Sequence, residues 1–129
     1  MQAEEMLHSL VQVPRDSELE IVISRALIDF GIPPHARGYQ YIREALLMLV
    51  EDGNNLLCIT KDIYPEIARK FYSSPSRVER AIRHAVEISW DGRGRYDPKS
   101  YFPENSVRPA NSEFLDFVCN LVYITVANN

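Results

Sequence analysis

Apolar residues at Leu19, Val22, Ile23, Ala26, Leu27 and Phe30 recur at the spacing of one helical face. The stripe opens on Ser17-Glu18-Leu19-Glu20, a capping-box pattern in which each side chain satisfies an orphan amide of the first turn. It closes at Gly31, suited to a left-handed C-terminal position, with Ile32 as the following apolar contact and Pro33-Pro34 forbidding continuation. A helix over about 18–30 is predicted. A second stripe, Ile42, Ala45, Leu46, Leu49 and Val50, is widened nearly all round by Leu47 and Met48. That pattern predicts a central helix over about 38–51, ended by Asp52-Gly53-Asn54-Asn55. Residues 1–16 carry a weaker pattern (Met6, Leu7, Leu10, Val11) up to Pro14 and form an N-terminal arm, amphipathic helix or disordered.

Pro65 lacks the amide and the clearance that a helix interior requires, yet it is tolerated at a first helical position. It therefore divides the next region into short helices over 56–63 and 65–72, the latter carrying Ile67, Ala68 and Phe71 on one face. Tyr72-Ser73-Ser74-Pro75 reads as a turn. From 75 or 76 to 90 the segregation is the cleanest in the chain. Val78, Ala81, Ile82, Ala85, Ile88 and Ser89 share one side, and Ser76, Arg77, Glu79, Arg80, Arg83, His84 and Glu87 share the other. Residues 91–110 hold two glycines and three prolines and read as a long loop. A last helix starts at Asn111 or Ser112, a good cap, and runs through Phe114, Leu115, Phe117, Val118, Leu121 and Val122. Its end is left open by the β-branched and aromatic run Val122–Val126. No segment alternates with a period of two. The expectation is an all-α fold of about six helices, with one domain over 17–129.

Composition narrows the function. The chain has 129 residues, 46% hydrophobic and 25% charged, which suits a single compact domain. No apolar run approaches the roughly 20 residues of a membrane span, and the acidic N-terminus is no secretory signal. Cys58 and Cys119 form neither a disulfide framework nor a metal-ligand spacing; among apolar neighbours both read as buried structural thiols in a reducing cytoplasm. His8, His35 and His84 are scattered, so no metal is expected. No phosphate loop, nucleophile elbow or triad pattern is visible, so neither a cofactor nor an enzyme is expected.

The net charge of −4 argues against a nucleic-acid partner, but the charge is unevenly spread. Between Arg69 and His84 five basic residues (Arg69, Lys70, Arg77, Arg80, Arg83) face one acid, Glu79. This is a local charge of +4 that leaves −8 on the rest. Screening over about 8–10 Å lets such a face attract phosphate despite an acidic body. A short helix, a tight turn and a basic-faced helix make a helix-turn-helix candidate, with 65–72 positioning and 76–90 reading. Arginine in the first turns of a reading helix can bond guanine O6 and N7. Arg80 and Arg83, three apart, lie within about 60° of each other around the axis. Glu79 has two readings: acceptance from a cytosine amino group, or closure of a Ser76-Arg77-Val78-Glu79 capping box. Gly92-Arg93-Gly94-Arg95 is either a phosphate contact or a flexible loop. Tyr39, Tyr41, Phe71 and Trp90 read as core or interface aromatics.

Tyr64-Pro65-Glu66-Ile67-Ala68-Arg69-Lys70-Phe71, followed by Ser76-Arg77-Val78-Glu79-Arg80-Ala81-Ile82-Arg83-His84-Ala85-Val86-Glu87, strongly resembles the C-terminal effector domain of the stage-zero sporulation response regulator of endospore-forming bacteria. The resemblance extends upstream through Gly31-Ile32-Pro33, His35, Gly38-Tyr39, Tyr41-Ile42-Arg43-Glu44-Ala45 and Ile59-Thr60-Lys61. Downstream it resumes at Asn111-Ser112-Glu113-Phe114, so that it covers about 20–122. It implies a six-helix domain that binds double-stranded DNA at TGTCGAA-type boxes, often as tandem dimers, and regulates transcription. Carried over by position, it implies base contacts at Glu79, Arg80 and Arg83, and contacts at or near phosphate at Ser76, Arg77 and His84. It further implies that the last helix takes part in homodimer contacts and activation, with RNA polymerase as a partner, and no membrane is involved. Full-length members of that family carry a phosphoacceptor receiver domain before this module, where residues 1–16 stand here. The segment after Trp90 differs from the family, and Asn120–Val126 lacks the basic residues expected there. Those departures sustain a competing reading: an effector-like module that modulates a regulator by heterodimerisation without binding DNA.

Overall fold

α2 (Arg37–Asp52) is the axis of the molecule, and the other helices pack around it. In the computed structural model, which describes residues 15–53 and 57–127, it is joined by α1 (Arg15–Asp29), α3 (Tyr64–Lys70), α4 (Pro75–Trp90) and α5 (Asn111–Ala127). A five-residue π-helical turn (Ile59–Ile63) leads directly into α3, and a 3-10 turn (Pro98–Tyr101) interrupts the loop between α4 and α5. The described residues contain no strand, so the fold is all-helical as expected. α2 touches α1, α3, α4 and α5, because Tyr39, Tyr41, Ile42, Ala45, Leu46 and Leu47 bury nearly its whole circumference. Around it Ile23, Leu27, Ile67, Ile82, Phe114 and Leu115 are almost fully buried. Each such aliphatic or aromatic side chain contributes about 1.5–3 kcal/mol of burial.

Several expected boundaries move. α1 begins at Arg15, so Ser17 lies inside the helix and not at its cap. Arg15 and Asp16 carry nothing that breaks a helix, so the described helix already includes the residues before Ser17. The rest of the expected arm, including its stripe from Met6 to Val11, lies outside the described residues. At the other end the prediction holds. Gly31 adopts a φ of +81°, its amide donates to Ile28 O (2.9 Å), and the Ile32 amide donates to Leu27 O (3.0 Å). That is the two-bond closure expected of a glycine-terminated helix.

The separate helix predicted over 56–63 is absent; the described residues contain five α-helices, not about six. In its place the π turn bonds five residues back, Ile63 N donating to Cys58 O (3.1 Å) and Tyr64 N to Ile59 O. The wider π turn accommodates the proline that would otherwise crowd the preceding turn, so Pro65 continues the chain into α3 instead of dividing it. The same geometry corrects the expectation for Cys58. The turn leaves its side chain exposed, whereas Cys119 is buried, and burial pushes that thiol up, with the Asp116 charge adding to the effect.

α5 stays helical to Ala127 through the β-branched run. The Thr125 hydroxyl bonds back to Leu121 O (2.8 Å), and the Tyr123 hydroxyl donates to Val50 O (3.0 Å) on α2. Tertiary contact here overrides local β propensity. None of the helices among the described residues is long and apolar enough to cross a membrane.

Candidate nucleic-acid interface

α3 and α4 are set by the residues that link them. Ile67 and Ala68 bury the inner face of α3, while Phe71, just past its end, stacks edge-on against Tyr41 (5.4 Å between centroids). The Phe71 amide returns to Ile67 O (3.0 Å) and the Ser73 amide to Ala68 O (2.8 Å), which forces Tyr72 between them into a left-handed φ of +52°. A non-glycine residue there carries roughly 1–2 kcal/mol of strain, and Tyr72 is 97% exposed.

The Ser74 hydroxyl then accepts the Arg77 amide (3.3 Å), and Pro75 follows as the first helical residue of α4. This corrects the predicted capping box. Ser74 is the cap, so Glu79 lies too far along the helix to close one. Its carboxylate instead pairs with Arg83 one turn on (3.3 Å).

The inner face of α4 is locked along its length. Val78, Ile82, Ala85, Val86 and Ser89 are buried. Gly38 lets α2 come so near that a Cβ there would lie 2.4 Å from Ala81 O and 2.7 Å from the Ala85 Cβ. At the far end the Ser89 hydroxyl donates to Phe30 O (2.7 Å) inside the core. Gly94 lies against Gly31, where a Cβ on Gly94 would meet Gly31 N at 2.3 Å, and the Tyr96 amide donates to Asp29 O (2.9 Å). The Gly92–Arg95 segment is thus a docked loop, not a free one; Arg93 and Arg95 project outward, Arg95 over the Tyr96 ring (5.3 Å).

Asn111 ties the pair together from outside. Expected to be a cap, it donates its side-chain amide to the Tyr64 hydroxyl (3.0 Å) and to Glu79 O (3.1 Å). The start of α5 is closed by Glu113, which accepts the Ala110 amide (3.2 Å). Burial pushes the Tyr64 phenol above its usual range, with the Asn111 bond opposing the shift more weakly.

The outer face of α4 is what this scaffold presents. Ser76, Arg77, Arg80, Arg83 and His84 are exposed and Glu79 is half-buried. Arg77, Arg80, Arg83 and His84 line one shallow groove with Arg37, Tyr41, Ser73, Ala81 and Glu87; Ser76 and Glu79 sit outside its lining.

Pairing separates the cations further. Arg69 is held by Glu66, Lys70 by Glu44 (3.0 Å), Arg83 by Glu79, and Arg108 by Glu87 (3.0 Å), which also faces His84 Nδ1 at 3.7 Å. Arg37, Arg77 and Arg80 make no ion pair among the described residues. Arg37 was not foreseen, since it stands alone in sequence and only the Gly38–Ala81 approach brings it to α4. Among the described residues no group of three or more His, Cys, Asp or Glu side chains could hold a metal ion.

A helical scaffold that locks one face of a helix and lines the other with uncompensated guanidinium groups defines a polyanion-binding domain. The model of the family described as sporulation initiation factor Spo0A C terminal matches residues 23–122, and the chain belongs to that family. It is a family of DNA-binding effector domains acting in transcription regulation and sporulation, not a family of enzymes.

Proposed function

We propose that the chain is a sequence-specific transcription regulator in which α3 and α4 act as a helix-turn-helix and α4 reads a TGTCGAA-type box in the major groove. The observation that carries this reading is the outward, unpaired state of Arg77 and Arg80 on a helix whose other face is fixed by the core. Arg80 and Arg83 read guanine edges and Glu79 a cytosine amino group; Ser76, Arg77 and His84 hold phosphates. The Glu79–Arg83 pair is exposed and worth at most about 1 kcal/mol, so it orients both side chains before contact and yields to base edges on binding. In this reading the protein works in the cytoplasm, as a homodimer on tandem boxes, with α5 contacting its twin and RNA polymerase.

One feature supports a second reading, an effector-like module that pairs with a regulator without touching DNA: Tyr123, Ile124 and Val126 leave an apolar end of α5 exposed. Fluorescence anisotropy with a matched and a scrambled duplex at several salt concentrations separates the two. Salt-sensitive preference for the matched box, lost in Arg80→Ala and Arg83→Ala, is the expected result. No binding to either duplex by folded protein would leave the partner-protein reading standing alone.

A further inference from the structure

We propose that Arg37, carried by α2 and not by the reading helix, is a DNA-backbone contact that fixes how α4 sits across the groove. The proposal rests on the DNA-reading function above. Gly38 presses the first turn of α2 against Ala81 and Ala85, so the residue before it is held beside the middle of α4 by backbone packing. From there Arg37 enters the lining of the groove that Arg77, Arg80, Arg83 and His84 share.

The charge in that groove is lopsided. Glu87 is the one carboxylate of the lining, and Arg108 already holds it at 3.0 Å. On α3, Arg69 and Lys70 each meet an acid, and within the groove Arg83 is paired with Glu79. Arg37, Arg77 and Arg80 gather in one groove with none. Like charges brought together without a counter-ion repel, and the arrangement is complementary to a polyanion that supplies the missing charge.

The identity of the anion follows from placement. Arg80 and Arg83 project from α4 toward base edges, and the phosphates of a major groove about 12 Å wide flank an inserted helix on both sides. A guanidinium on the neighbouring helix, level with Ala81, falls at that flank. It contacts backbone and not bases, and so sets register without carrying sequence information.

The test uses the full chain and Arg37→Gln, titrated with matched and scrambled duplexes over a salt series. Expected are an equal loss of roughly 3–10-fold on both duplexes, an unchanged preference between them, and a salt slope smaller by about 0.9. Arg37→Met, which keeps the aliphatic stem, gives the same pattern should glutamine disturb folding. Unaltered affinity and slope, alongside a reduced slope in Arg77→Ala, would overturn the assignment and leave the DNA-reading function intact. A changed preference between the duplexes overturns it by making Arg37 a base reader. Inorganic phosphate at constant ionic strength raising the melting temperature of the wild type but not of Arg37→Gln overturns it in favour of a free-anion site. Wild type that binds neither duplex removes the proposal together with the function on which it rests.

Discussion

Two of the grooves that α2 lines among the described residues are opposite in charge. The start of α2 sends Arg37 toward Arg77, Arg80, Arg83 and His84. Its later turns send Glu44 and Glu51 into a groove shared with Glu20 of α1 and Glu66 of α3, over a floor of Leu47, Met48 and Ile67. In the acidic groove Lys70 donates to Glu44, and Glu66 lies under Arg69, which holds its carboxyl below the usual range. In the basic groove Arg77 and Arg80 make no ion pair among the described residues, and Glu87 of the lining is held by Arg108. The formal charges of the stretch from Arg69 to His84 therefore divide into two kinds. Arg69 and Lys70 complete the acidic side, Arg83 is held by Glu79, and Arg77 and Arg80 are the cations of the stretch that make no ion pair among the described residues. Counting basic residues along the chain merges what the fold separates.

Removing one positive charge from each groove is the sharpest way to break that comparison. Arg80→Ala should lose about 1–3 kcal/mol of affinity for a matched box, read by anisotropy, with discrimination at one base position relaxed. Next in size is the support beneath the basic groove. Asn111→Ala leaves Glu79 O and the Tyr64 hydroxyl without their partner and should destabilise the fold by about 1–2 kcal/mol in urea denaturation. The Tyr64 phenol titrates above its unfolded value, so its contribution is complete below about pH 10 and falls as pH rises through the folded value. Tyr64→Phe should flatten that alkaline decline. Arg77→Ala should weaken matched and scrambled duplexes alike and reduce the salt slope by about 0.9. The smallest effect belongs to the edge of the acidic groove: Arg69→Ala removes an exposed pair with Glu66, so stability in urea denaturation and duplex affinity should both stay nearly unaltered. A drop for Arg69→Ala as large as that for Arg80→Ala would mean that pairing does not separate the two grooves.

The parts of the fold that were legible in the sequence are those whose cause is local. The Gly31-Ile32-Pro33 termination, the all-round apolar α2 and the two-faced α4 each depend on residues within a few turns of one another. Errors arose where two local rules competed. Ser76 and Glu79 had the spacing of a capping box, yet Ser74-Pro75 supplied a better start two residues earlier, because proline fixes the first helical turn and the Ser74 hydroxyl accepts the Arg77 amide. Pro65 was a sound reason to break a helix, but a wider turn absorbed it without a break. Asn111 had the chemistry of a cap and used it on two other helices. The exposed face of α4 was foreseen because amphipathic spacing shows which side faces out. Arg37 was not, because its place in the groove depends on a glycine meeting a helix more than forty residues downstream.

The Asn111 bridge has a thermodynamic consequence for the whole domain. A single amide at the head of α5 joins the phenol of α3 to the backbone of α4, so these three helices share one point of reference. In the proposed function, where α4 meets DNA, a partner that engages α5 and displaces that amide removes a bond from the backbone of α4 and so couples to DNA binding. By reciprocity, DNA must then change the affinity of that partner by the same factor. In that proposed reading the bridge makes occupancy of one surface a term in the binding equation of the other.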